Sequence, residues 1–97
     1  MSKAPKYPKG DFRRMLMVLA AIDSLQNASL VRIAEFTGID KKTITNLIAQ
    51  ARVQIHVSID KVGPVYSIKE WGPVIKEAGA KLALTGALIS KEDDEES

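Results

Sequence analysis

Cysteine is absent from this 97-residue chain, and histidine occurs once. A disulfide framework and a thiolate metal site are therefore excluded, and His56 alone cannot build a zinc site. The lack of cysteine suits a reducing cytoplasm. Long apolar runs are also missing. The run over residues 82–89 contains Thr85 and Gly86 and falls far short of the roughly 20 residues that span a bilayer. The first ten residues carry lysines but no apolar core of the kind a secretory signal needs. Catalytic constellations are equally sparse. There is no glycine-rich phosphate loop, no second histidine and no pair of acids at a spacing suited to general acid and base work, and Asp23 and Glu35 stand alone on helices. Neither an enzyme nor a cofactor is expected, and the expected setting is soluble and cytoplasmic.

Apolar residues make up 45% of the chain, enough for one packed core without staples. The net charge of +2 conceals an asymmetry. Residues 1–14 carry Lys3, Lys6, Lys9, Arg13 and Arg14 against Asp11, and residues 41–69 carry Lys41, Lys42, Arg52, Lys61 and Lys69 against Asp60, a surplus of +4 in each case. The last seven residues, KEDDEES, carry −4 and leave a body of +6. A basic body of this size favours an anionic partner, nucleic acid foremost.

The organisation follows from periodicity and punctuation. Residues 1–10, with two prolines and spaced lysines, read as a flexible basic arm, residues 11–89 as the folded domain, and residues 90–97 as a disordered acidic tail. That tail is solubilising and could compete with an anion for the basic face. Asp11 is placed to cap a first helix whose stripe is Phe12, Met15, Leu16, Leu19, Ile22 and Leu25, ending near Gln26 and Asn27. Ser29 caps a second helix with Leu30, Ile33 and Ala34 inward, and Gly38 stops it in a left-handed conformation. Asp40 caps a third, which runs to about Ala51 or Arg52. Val53, Ile55, Val57 and Ile59 then alternate with polar residues as a half-buried strand. DKVGP turns the chain and VYSIK returns as a hairpin with Lys61 near its tip. Pro73 suits the first turn of a fourth helix over residues 74–89. His56 falls on the polar side of its strand as a surface residue.

Residues 30–49, LVRIAEFTGIDKKTITNLIA, resemble the helix-turn-helix signature of bacterial DNA-binding regulators. Ala34 is the small residue at the helix crossing, Gly38 sits in the turn, Ile39 packs beneath it, and Ile44 and Leu47 anchor the second helix. With the hairpin, residues 11–70 are similar to the winged helix-turn-helix superfamily. The resemblance implies a mainly α fold with a small β-hairpin, in the order helix, helix, turn, helix, hairpin wing, C-terminal helix.

The residues support the same expectation. If Ile44, Leu47, Ile48 and Ala51 face the core, Lys42, Thr45, Asn46 and Ala49 face outward with Lys41 at the helix start. A helix roughly 10 to 12 Å across fits the major groove. Asn46 can bond adenine, Thr45 can meet a base or a thymine methyl, and Lys41 or Lys42 can reach guanine or phosphate. Phosphate contacts are expected from Lys61, Arg52, Lys69 and the amide at Ser29. The second half of the fourth helix is apolar nearly all round, more than one covered face needs. Ile75, Leu82 and Ile89 recur every seven residues with Ala78 between the first two, and Gly79, Ala83 and Ala87 allow close approach. Together with Leu88 they mark a dimerisation helix over about 73–89, unless this helix packs wholly on the first. The expectation is a homodimeric, sequence-specific double-stranded DNA-binding regulator, probing the major groove with helix 40–51, repressing transcription and nucleoid-associated when bound. A protein partner or effector is not identified by the sequence. The alternatives are a winged-helix protein–protein interaction module and an accessory DNA-architecture factor of replication or recombination.

Overall fold

In the computed structural model, which describes residues 5–85, the first helix, α1 (Phe12–Ser24), is the element around which the others pack. Asp11 caps it by accepting the Arg13 backbone N–H at 2.9 Å. Residues 15–22 are buried without interruption, so α1 is covered on every side rather than along a stripe, as an all-round apolar helix must be. Phe12 is the exception to the expected stripe. It lies at the first turn and remains 48% exposed. The helix ends at Ser24, sooner than Gln26, and Asn27 takes φ +55 as the chain turns, a left-handed conformation that its short amide side chain tolerates.

Helices α2 (Leu30–Thr37) and α3 (Lys41–Gln54) pack on α1 and on each other. Ser29 and Asp40 cap them, accepting the N–H groups of Arg32 and Thr43. Gly38 closes α2 at φ +78. The turn is pinned by a side chain that the sequence pattern does not single out. Thr37 is 2% exposed, and its hydroxyl donates to the Ile33 carbonyl at 2.7 Å while accepting the Ile39 N–H at 3.2 Å.

The expected strand from Val53 is corrected. The helix α3 continues through Gln54, and the first strand, β1 (Ser58–Val62), starts five residues after Val53. Ile48, Ala51 and Ile55 continue the helical spacing, so Ile55 satisfies both periods. Burial decides for the helix, with Ala51 and Ile55 buried and Val53 75% exposed. His56 then adopts φ +56, and the Val57 N–H reaches back to the Ala51 carbonyl at 3.3 Å.

Strands β1 and β2 (Val65–Glu70) pair antiparallel, with an irregularity between Ser58 and Ile59. The Tyr66 N–H also donates to the Ala28 carbonyl at 2.9 Å, which stitches the hairpin to the chain between α1 and α2. The described part of the fourth helix, α4 (Glu77–Thr85), begins later than Val74, and Pro73 lies in a turn rather than in the helix. Gly72, at φ +81, presses against the His56 carbonyl, so residues 72–76 are used in crossing from the hairpin to α1. Ala80 and Ala83 are fully buried on the side of α4 that packs on α1.

The expected flexible arm over 1–10 is corrected from residue 5 onward, since Tyr7 is buried and its hydroxyl donates to the Ala83 carbonyl at 2.6 Å. The Arg13 guanidinium lies 4.6 Å from the Tyr7 ring centre and pairs with Asp11 at 2.6 Å. Burial raises the Tyr7 phenol above its ordinary pKa. The acidic tail over 90–97 lies outside the described residues, and no described helix is long and apolar enough to cross a membrane.

A Cβ at Gly72 would meet the His56 carbonyl oxygen at 2.4 Å. Gly72→Ala is expected to cost about 2 kcal/mol or more by denaturant melts. Gly79→Ala, in open helix surface, should instead gain up to about 1 kcal/mol. Thr37→Val leaves the buried Ile39 N–H without its acceptor and should cost about 1–3 kcal/mol, while Thr37→Ser retains most of the stability.

Candidate functional site

Helix α3 turns Ile44, Ile48 and Ala51 inward. By the helical repeat this leaves Lys42, Asn46, Ala49 and Val53 along the opposite side, all exposed. Val53 was expected to begin a strand, and its place on this face depends on the three extra residues of the helix. Lys41 and Thr45 lie on one flank of that side, Gln50 and Gln54 on the other.

The first flank borders a cleft of about 280 Å³ lined by Ser29, Leu30, Val31, Lys41, Lys61 and Pro64. Three segments far apart in sequence meet there: the start of α2, the start of α3 and the hairpin. Leu30, Val31 and Pro64 make its apolar floor, and the two lysines are its only charged residues. Lys61 also stands 5.5 Å from the Tyr66 ring centre, which steadies the ammonium at the rim. An apolar floor between two cations can hold the sugar and phosphate of a polyanion, the sugar on the floor and the charge between the ammonium groups.

Other expected contacts are redistributed. Arg52 donates to the Ile59 carbonyl at 3.0 Å, so its guanidinium ties α3 to β1. The amide at Ser29 donates to the Asn27 carbonyl at 2.8 Å, which removes it as a phosphate donor. By helix geometry the outward amides of that first turn belong to Leu30 and Val31. Lys69 pairs with Asp60 at 3.4 Å on the exposed face of the hairpin. Thr45 remains exposed, but its hydroxyl proton goes to the Lys41 carbonyl at 3.0 Å, leaving the oxygen lone pairs and the methyl facing out. Asn46 is exposed and borders a second groove, toward α1. Lys42 is exposed and stands apart from both.

Of the expected dimerisation residues, Ile75 packs partly against the core and Leu82 is 43% exposed. Leu88 and Ile89 lie outside the described residues. Ala83 is committed to the α1 side of the helix rather than free for a second chain.

The acid at the head of α3 is electrostatically tuned. Hydrogen bonds from the Thr43 hydroxyl at 2.7 Å and the Thr43 N–H at 3.1 Å hold the Asp40 carboxyl below its ordinary pKa. Asp11 is lowered in the same direction, chiefly by the Arg13 guanidinium. Both acids sit at helix starts, where the dipole also favours the anion. Comparison with known proteins gives no match, whether to a family model, a curated protein or a solved structure.

Because Asp11 and Asp40 are more acidic folded than unfolded, their stabilisation is fully present above the ordinary value of 3.8. It is lost as pH falls through their lower folded-state values. Melting temperature should fall over that acidic window. Asp11→Asn/Asp40→Asn, which keeps capping oxygens but does not titrate, should flatten the fall. An unchanged profile in the double variant would assign the acid sensitivity to other groups.

Proposed function

We propose that this chain is a winged helix-turn-helix protein that binds duplex DNA through α3 and the hairpin, as a homodimeric transcriptional repressor. The observation that carries the reading is the cleft in which Lys41 and Lys61 converge beside the exposed side of α3 with no acidic residue in its lining. At roughly 1.5 Å per residue, the fourteen residues of α3 give a rod about 21 Å long, enough to lie in a major groove about 12 Å wide. In this reading Asn46 reads adenine, the Thr45 methyl meets thymine, Lys42 reaches guanine or phosphate, and Lys41 and Lys61 straddle one backbone strand. Exposed Leu82 on α4 supports pairing with a second copy, which would set two α3 helices to half-sites one turn of duplex or a multiple apart. The protein would be cytoplasmic and nucleoid-associated when bound.

A protein-interaction module is favoured by one observation, the exposed valine near the far end of α3 and the one on the hairpin. Val53 and Val62 are each 75% exposed, whereas a DNA face needs polar groups there.

Selection from a random duplex pool at two salt concentrations tests the first reading, with enrichment of an inverted repeat expected. The double variant Lys41→Ala/Lys61→Ala should reduce the slope of log affinity against log salt by up to about 1.8. Asn46→Ala should lose site discrimination while keeping most non-specific binding. Failure to retain any duplex at low salt would leave the interaction module standing. For the dimer, Leu82→Glu should give a folded monomer in sedimentation, and an unchanged mass would remove α4 as the interface.

A further inference from the structure

The second groove lies between the start of α1 and the Gln50 flank of α3, encloses about 290 Å³ and has Met15 and Leu47 in its lining. We propose that it is a binding site for a single adenine mononucleotide. Asn46, Gln50 and Gln54 follow at steps of four residues along its α3 wall, so their carboxamides are stacked about 6 Å apart. None of the three makes a side-chain hydrogen bond to another described residue. Phe12, a residue 48% exposed, forms part of the opposite wall. Arg14 shares that wall and has no ion pair with a described residue. The lining carries one acid, Asp11, and one base, Arg14; the acid is already paired with Arg13 at 2.6 Å just outside it.

These groups match the parts of one nucleotide. A carboxamide presents a donor and an acceptor side by side, which complements adenine at N6 and N7. The exposed aromatic ring offers a stacking face to the base. The guanidinium takes the phosphate through paired charge-assisted hydrogen bonds. The volume is at the low end of the roughly 300–1,000 Å³ typical of ligand pockets, which suits one nucleotide and not a strand. The site stands whether or not the chain binds duplex DNA. Because Asn46 belongs to both surfaces, a bound nucleotide would withdraw it from a duplex, so the two ligands would compete.

The test is a titration of the full chain, labelled with nitrogen-15 and free of DNA, with adenosine 5′-monophosphate, adenosine, guanosine 5′-monophosphate and inorganic phosphate in separate arms. Saturable shifts of the Asn46, Gln50 and Gln54 side-chain amide signals are expected with adenosine 5′-monophosphate, and weaker binding with adenosine. Phe12→Ala should weaken binding about tenfold. Arg14→Ala should bring the monophosphate down to the affinity of adenosine, with an unchanged far-ultraviolet spectrum. Absence of any saturable shift up to about 5 mM nucleotide would overturn the proposal. So would equal binding of the guanosine nucleotide, or inorganic phosphate alone reproducing the shifts. Since duplex is absent from every arm, failure here leaves the DNA reading untouched, and failure of duplex selection leaves this one untouched.

Discussion

Everything in this structure hangs on the complete burial of α1. Met15, Leu16, Met17, Val18, Leu19 and Ile22 are all 7% exposed or less. At about 1.5–3 kcal/mol for each large side chain removed from water, these six residues outweigh any single polar contact in the molecule. The ion pairs among the described residues lie at or near the surface, and the Lys69–Asp60 and Lys81–Glu77 pairs have both partners well exposed. Such pairs are screened by water and add little to stability. An eight-residue stretch that is apolar on all sides cannot be satisfied by one neighbour. It needs α2 and α3, the second strand and α4, and each of these is held at a fixed place by the part of α1 that it covers.

Polar contacts then set angles and ends within that arrangement. Thr37 fixes the turn between α2 and α3, and Arg52 ties the end of α3 to the first strand. The Tyr7 hydroxyl joins the N-terminal segment to the backbone of α4 on the far side of α1. That segment also borders a cleft with Thr37, Gly38 and Ile39, so it lies along the turn that sets the inclination of α3. The exposed side of α3 is therefore positioned by side chains that do not belong to it. The Tyr66 N–H bond to Ala28 has the same consequence for the hairpin, bringing Lys61 to the starts of α2 and α3.

The candidate site was legible in the sequence to different depths. Lys41, Lys42, Thr45 and Asn46 were readable because the apolar spacing of α3 assigns its inner side and leaves the rest outward. Lys61 was readable as a residue near a hairpin tip, but its meeting with Lys41 was not, since that depends on how the hairpin is stitched to Ala28. Arg52 and Ser29 look like free donors in one dimension. In the fold each has a backbone carbonyl within 3.0 Å and turns to it. Gln50 and Gln54 are silent in the sequence because polar residues on a helix flank carry no signal until a second wall, here Phe12 and Arg14, stands opposite them.

What the sequence determined by itself is local: the capping at Asp11, Ser29 and Asp40, the left-handed stop at Gly38, the order of helices and hairpin, and the inward residues of α2 and α3. Each depends on groups within four residues of one another, where backbone geometry leaves few choices. Tertiary structure decided where two local patterns compete or where one surface meets another. Ile55 fits a helix and a strand equally well until Ala51 and Ile55 are buried and Val53 is left in water. Tyr7 sits in a stretch that reads as a polar arm until α4 offers the Ala83 carbonyl. Pro73 could open a helix until Gly72 is held against His56. In each case the deciding term is a contact between residues distant in sequence, which exists only once burial of α1 has brought them together.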